Sequence, residues 1–163
     1  MNQVVVKQEK SGYQIVEAYK SLRTNLQFCG EDKKVIAVTS CTPNEGKSSV
    51  SMQLGISLAE SGKRVILIDA DLRKSVLLGR TKTQKSVRGL AHFLSGQATL
   101  EDVICSTNVK NFYMIYSGPF PPNPAELLGG KNFRSLLNAL RKVYDYVIVD
   151  TPPLGSATHR TIK

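Results

Sequence analysis

Two short runs in this chain are apolar almost from end to end: Val65-Ile-Leu-Ile-Asp69 and Tyr146-Val-Ile-Val-Asp150. No polar residue alternates inside them, so a strand made from either must be covered on both faces, as strands of parallel sheets are. Val35 to Thr39 is a third, β-branched run, and Phe112 to Tyr116 a fourth. Helical patterns separate them. Ile15, Tyr19, Leu22 and Leu26 recur at helical spacing, which predicts an amphipathic helix over Gly12 to Phe28. Val50, Leu54 and Leu58 mark a helix from about Lys47 to Ser61, ended by Gly62, a residue free to take positive φ. Leu90 to Leu94 and Leu100 to Ile104 read as short helices and Asn132 to Val143 as a longer one, while Asn123-Pro124 is a good helix start. Strands alternating with helices predict a layered α/β fold, a mostly parallel sheet flanked by helices with right-handed crossovers.

After Asp150 only Leu154, Ala157 and Ile162 are appreciably apolar, and they are isolated. The sheet is therefore expected to stop at its fourth strand, incomplete at the C-terminus, with an open edge and an uncovered apolar face.

The 163 residues, 41% apolar and 21% charged, suit one globular domain rather than two. The three-valine run near the N-terminus falls far short of a signal peptide, and no uncharged apolar stretch approaches the ~18 residues of a membrane span. Three widely spaced cysteines match no zinc or disulfide pattern, which fits a reducing, cytoplasmic setting. The formal charge of +9 is unevenly spread. Between Asp71 and Glu101 there is no acidic residue, yet Arg73, Lys74, Arg80, Lys82, Lys85 and Arg88 all fall there. That segment could face phosphates, an acidic partner or an anionic membrane leaflet, or be a solvated surface. No DNA- or RNA-binding motif accompanies the charge, so nucleic acid is not the expected partner.

Cys41-Thr-Pro-Asn44-Glu45-Gly46-Lys47-Ser48-Ser49 lies between the first strand and the second helix. It follows the phosphate-loop pattern of a residue, four more, then Gly-Lys-Ser/Thr, with Cys41 in place of the first glycine. Loop N–H groups and the helix N-terminus can wrap an anion there. Gly46 allows close approach, Lys47 offers its ammonium to β- and γ-phosphates, and the Ser48 hydroxyl can ligate Mg²⁺. Two further strands end in acid, at Asp69-Ala-Asp71-Leu-Arg73 and at Asp150-Thr-Pro-Pro153. Ligands of open parallel sheets bind outside the carboxyl ends of strands, so these carboxylates and the loop should converge. An aspartate after a strand can also be a mere helix cap.

These three motifs together resemble the Walker A, Walker A′ and Walker B motifs of bacterial protein-tyrosine kinases of capsular and exopolysaccharide synthesis. Ser117-Gly-Pro-Phe-Pro-Pro-Asn-Pro124-Ala-Glu126 resembles a loop typical of that family, and Glu17-Ala-Tyr-Lys20-Ser-Leu-Arg23 resembles its N-terminal oligomerisation helix. The resemblance covers residues 13 to 155. It implies a single P-loop kinase domain binding ATP and Mg²⁺, with Asn44, Glu45, Gly46, Lys47, Ser48 and Ser49 around the phosphates and Ser49 near the α-phosphate. Asp69 would orient or deprotonate the tyrosine hydroxyl, and Ser48, Asp71 and Asp150 would complete the metal shell. It further implies protein tyrosine substrates including the kinase itself, a homo-oligomer, and a membrane-anchored modulator that holds the kinase at the inner face of the cell membrane.

The chain departs from the family at Lys20, where arginine is usual, and at Asn44, where glycine is common. It also ends soon after Pro153, where relatives continue to a tyrosine-rich tail, so a truncated chain is expected. Two rival readings stand beside the kinase. One is an ATPase switch of the Min/Par type, which usually has an early loop lysine where this chain has Thr42. The other is a binding module without catalysis.

Overall fold

The computed structural model describes residues 1–7, 12–32, 34–40, 46–72, 77, 81–83 and 87–152. In chain order the elements are β1 (Asn2–Val6), α1 (Tyr13–Phe28), β2 (Val35–Val38), α2 (Lys47–Glu60), β3 (Val65–Asp69) and β4 (Thr81–Thr83). They continue as α3 (Leu90–Leu94), α4 (Leu100–Val103), β5 (Cys105–Thr107), β6 (Phe112–Ile115), α5 (Pro124–Leu128), α6 (Lys131–Val143) and β7 (Tyr146–Asp150).

The strands form one sheet in the order β2-β7-β3-β6-β5-β1-β4. β2, β7, β3 and β6 run parallel, β6 meets β5 antiparallel, β1 lies parallel to β5, and β4 closes the far side antiparallel to β1. Both apolar runs behave as their composition demands, since every residue of β3 and of β7 is buried. Alternate side chains serve opposite layers. Val65, Leu67 and Ile148 join a core under α2 with Met52, Ile56 and Leu58. Ile66, Ile68, Val147 and Val149 join a second core under α3 and α6 with Leu94, Phe133, Leu136 and Leu140. On the α2 side the layers come unusually close. A Cβ on Gly55 would stand 2.6 Å from the Phe112 ring, so glycine is what lets the helix settle on β6.

The expected end of the sheet at a fourth strand is corrected: among the described residues the sheet has seven strands. The additional ones, β1, β4 and β5, lie on the side away from β2. β1 arises from the N-terminal valine run, in which Val4 and Val6 are buried and Val5 is exposed, a period-two pattern. The ladder beyond Val6 is continued by a side chain, because Val6 N–H donates to Asn108 Oδ1 at 2.7 Å. The helix expected over Leu100 to Ile104 stops at Val103, and Cys105 begins β5. Residues 153–163, with the isolated Leu154, Ala157 and Ile162, lie outside the described residues.

At the opposite margin β2 pairs with β7, and among the described residues no strand pairs with its other side. Val35 and Ala37 are exposed there. α1 has no buried residue at all. Of its apolar stripe, Tyr19 and Leu26 rest partly covered against the α2-side core, whereas Ile15 and Leu22 are exposed. The pattern makes the helix, but α2 alone is too narrow to cover the stripe.

Candidate active site

The first strand–helix unit sets the site. Between β2 and α2 the chain must turn sharply, and Gly46 caps α2 in the left-handed region at φ 77°, with nothing within 4 Å of where a Cβ would sit. Conformation rather than space therefore calls for glycine. Val50 N–H closes the first helical turn onto Gly46 O at 3.0 Å. Lys47, Ser48 and Ser51 then share the end of α2 that faces β7, since positions one helical turn apart lie on one face.

Asp150, the last residue of β7, receives all three. Lys47 Nζ lies 2.5 Å from Asp150 Oδ1, with side-chain exposures of 8% and 1%. Ser48 Oγ donates to Oδ2 at 2.9 Å. Ser51 Oγ, fully buried, sits 3.2 Å from Oδ1 and 3.1 Å from Lys47 O, with one proton to share between them. The strand tip itself is pinned. Thr151 N–H and Oγ1–H both donate to Val38 O, at 3.0 and 2.9 Å, and Ala70 N–H donates to Asp150 O at 3.0 Å.

Asp69 is the neighbour of Asp150 across the β3–β7 ladder, the two forming an in-register pair at adjacent tips. It is 1% exposed, and its Oδ1 accepts the N–H of Asp71 at 3.2 Å, which shapes the turn that carries the more exposed Asp71. Two buried carboxylates side by side are costly unless cationic charge faces them. Lys47 supplies one positive charge. The oxygen-only donor set of Ser48 and the aspartates suits a hard divalent cation that keeps most of its waters, so these residues fit magnesium. Behind Asp69 stands Tyr116, just past β6, 2% exposed and hydrogen-bonded to Thr81 of β4. Burial pushes its phenol up to about 12, with Cys105 and Asp69 adding to the rise and the Thr81 bond opposing it.

The structure thus brings Gly46, Lys47, Ser48, Asp69, Asp71 and Asp150 to one edge, with Ser49 beside them on α2. Asn44, Glu45, Cys41 and Arg73 lie outside the described residues. The three residues of the N-terminal helix motif are elsewhere and engaged within the chain. Glu17 pairs with Lys20 at 3.2 Å along the helix, and Arg23 Nη1 donates to Ser57 O of α2 at 2.8 Å. Ser51 was not legible as a site residue. The available signal was its spacing, four residues after Lys47 and so on the same side of the helix.

A strand, a left-handed glycine, a lysine-led helix and two acid-tipped neighbouring strands define a protein of the P-loop NTPase fold. More narrowly, the chain belongs to the AAA domain family, whose model matches residues 33–162. It is similar to the tyrosine-protein kinase CpsD of Streptococcus agalactiae, at 45% identity over 139 residues, covering 85% of this chain and 61% of that protein. Among solved structures it is similar to the BceF tyrosine kinase domain, with a TM-score of 0.81 and 43% identity, covering 90% of this chain and 59% of that one. It also resembles the septum site-determining protein MinD of Pyrococcus horikoshii, solved with Mg-ADP, with a TM-score of 0.65 and 25% identity, covering 79% of this chain and 53% of that one. The chain spans about 60% of the length of the curated relatives it matches.

Proposed function

We propose that this chain is the nucleotide-binding core of an ATP- and Mg²⁺-dependent protein-tyrosine kinase acting in capsular or exopolysaccharide synthesis. The observation that carries the reading is the buried cluster of Lys47, Ser48 and Asp150, with Asp69 in register beside it. Its relatives named as tyrosine-protein kinases support the same reading.

Phosphoryl transfer asks a protein mainly for positioning and charge neutralisation. In the described state Lys47 is held by Asp150, so its ammonium must leave that carboxylate to reach β- and γ-phosphate oxygens. Gly46 and the first turn of α2 present N–H groups to the same phosphates, with Asn44 and Glu45 completing the loop and Ser49 near the α-phosphate. Ser48, Asp71 and Asp150 would hold magnesium, which when bound neutralises phosphate charge and aligns the transferred group. Asp69 accepts or orients the proton of the attacking tyrosine hydroxyl. Arg73, four residues after Asp69 in the sequence, is assigned to the same site.

The wider reading includes protein tyrosine substrates, the chain's own among them, and self-association through Glu17, Lys20 and Arg23 of the N-terminal helix. It also includes a membrane-anchored modulator that keeps the kinase at the inner face of the membrane. Among the described residues no helix is long and apolar enough to cross a membrane. Incubating the chain with labelled ATP, Mg²⁺ and a tyrosine polymer, beside a phosphate-release assay, tests the function. Phosphotyrosine is the expected product. Free phosphate alone would replace the kinase with an ATPase switch of the MinD type, and neither product would leave a module without catalysis.

A further inference from the structure

We infer that Phe120 receives the acceptor tyrosine, its ring packing against the phenol ring of a protein substrate at the mouth of the crevice. The inference rests on the kinase reading and deepens it, since it says how that site grips its second substrate.

The tips of the parallel strands stand in a row. Ile68 of β3 pairs with Ile115 of β6, and Asp69 of β3 pairs with Asp150 of β7. One residue past its pair, Tyr116 comes level with Asp69, one strand spacing (~4.8 Å) away. Lys47 and Ser48 engage Asp150 on one side of Asp69, so phosphates held there lie toward β7 and α2. The chain that leaves β6 lies on the other side. A hydroxyl presented to Asp69, in line with the departing β–γ oxygen, has to enter from that second side. The stretch flanking its path is Ser117-Gly-Pro-Phe120-Pro-Pro-Asn-Pro124.

This loop is built to hold still. Leu90 N–H donates to Tyr116 O at 2.6 Å and Ala91 N–H to Ser117 O at 2.9 Å, which ties its start to the first turn of α3. Gly118 turns in the left-handed region at φ 81°, and a Cβ on Gly89 would run into its backbone. Two glycines thus let the loop and the start of α3 meet main chain to main chain. Proline fills four of the six positions from 119 to 124, each with its φ fixed by the ring. Pro121 and Pro124 are buried, the latter opens α5, and Asn123 Nδ2 donates to Glu126 Oε2 at 3.2 Å. Between these anchors Phe120 is 64% exposed, with Pro119 and Pro122 exposed beside it.

Phe120 belongs to neither core, so packing of the fold does not account for an aromatic ring at this place. A side chain carried on stiff backbone loses little freedom when a ligand meets it. Its chemistry selects a second ring, because aromatic pairs gain from offset or edge-on contact beyond the area they bury. Exposed Ile15, Leu22 and Val35 are aliphatic and belong to the flank of β2 and α1, separated from this loop by β7 and β3.

The test compares phosphorylation of a single-tyrosine peptide by wild type, Phe120→Ala and Phe120→Trp. Phe120→Ala should raise the KM for the peptide roughly five- to tenfold, with kcat and the KM for ATP within about twofold. Phe120→Trp should restore the KM. The peptide with phenylalanine in place of its tyrosine should compete with the substrate in wild type, and about fivefold more weakly in Phe120→Ala. The chain has no tryptophan, so Phe120→Trp also carries a single fluorophore, whose emission should shift when peptide is added with Mg²⁺ and ADP. An unchanged peptide KM in Phe120→Ala, an equal rise in the KM for ATP, or emission indifferent to saturating peptide would overturn the inference and leave the kinase reading in place. Wild type that forms no phosphotyrosine would remove the kinase reading itself, and the role of Phe120 with it.

Discussion

The crevice at the tips of β3 and β7 and the flank formed by β2 and α1 come from adjoining stretches of one chain, yet they are built on opposite terms. In the crevice the polar groups gathered at Asp150 are buried and matched. Asp150 alone gathers a lysine, two serines and a backbone N–H bonded to its carbonyl. On the flank, apolar Val35, Ile15, Val16, Leu22 and Phe28 face outward and α1 buries nothing. Satisfied polar burial fixes geometry, which phosphoryl transfer requires, whereas an under-covered flank keeps surface available for presentation or assembly.

The sharpest way to break the contrast is at Lys47. Lys47→Met should lower phosphotyrosine formation at least a hundredfold. It should also reduce stability, by about 3 kcal/mol, since a buried carboxylate loses its ionic partner. Matched turnover of variant and wild type would remove Lys47 from the chemistry.

Stability should divide along the same line. Leu67→Ala empties a fully buried position of β3 and should cost about 3 kcal/mol in urea unfolding. Ile15→Ala on the exposed stripe of α1 should stay within about 0.5 kcal/mol. Equal losses would mean that the flank is covered after all.

Ser51 sharpens the picture of the crevice. When Lys47 moves to phosphate, its hydroxyl is the donor left beside Asp150 Oδ1. Ser51→Ala should therefore reduce kcat about tenfold and raise the Mg²⁺ concentration needed for ADP binding, with Ser51→Thr restoring both. An unaltered Mg²⁺ requirement would make the contact purely structural.

The smallest effect is alkaline. Burial pushes the Cys105 thiol up to about 11, with the N-terminal ammonium opposing. A folded pKa above the ordinary value of 9.0 means that the unfolded chain ionises first. This contribution is intact below pH 9 and lost as pH climbs toward 11. Cys105→Ala should flatten the fall of the unfolding midpoint over that window, and an unchanged slope would assign the fall to other groups.

Much of this was readable in the residues. Uninterrupted apolar runs gave β3 and β7, a lysine-led helix after a strand gave the loop, and acids at strand ends gave the opposing carboxylates. Three strands were not readable. β4 and β5 are three residues long, too short for any period to show, and β1 rests on two valines whose partners are about a hundred residues away. The exposure of α1 was equally hidden, because a periodic stripe states which face is apolar and not whether another element covers it. The bond from Arg23 to Ser57 was hidden too, since it depends on how α1 crosses α2.

The central claim is most directly tested by calorimetric titration of the wild-type chain and Asp150→Asn with ATP, each with Mg²⁺ and with EDTA. Mg²⁺-dependent binding is expected in the wild type and should be lost or become Mg²⁺-independent in the variant. Binding of equal strength in all four titrations would contradict a triphosphate and metal site at these strand tips.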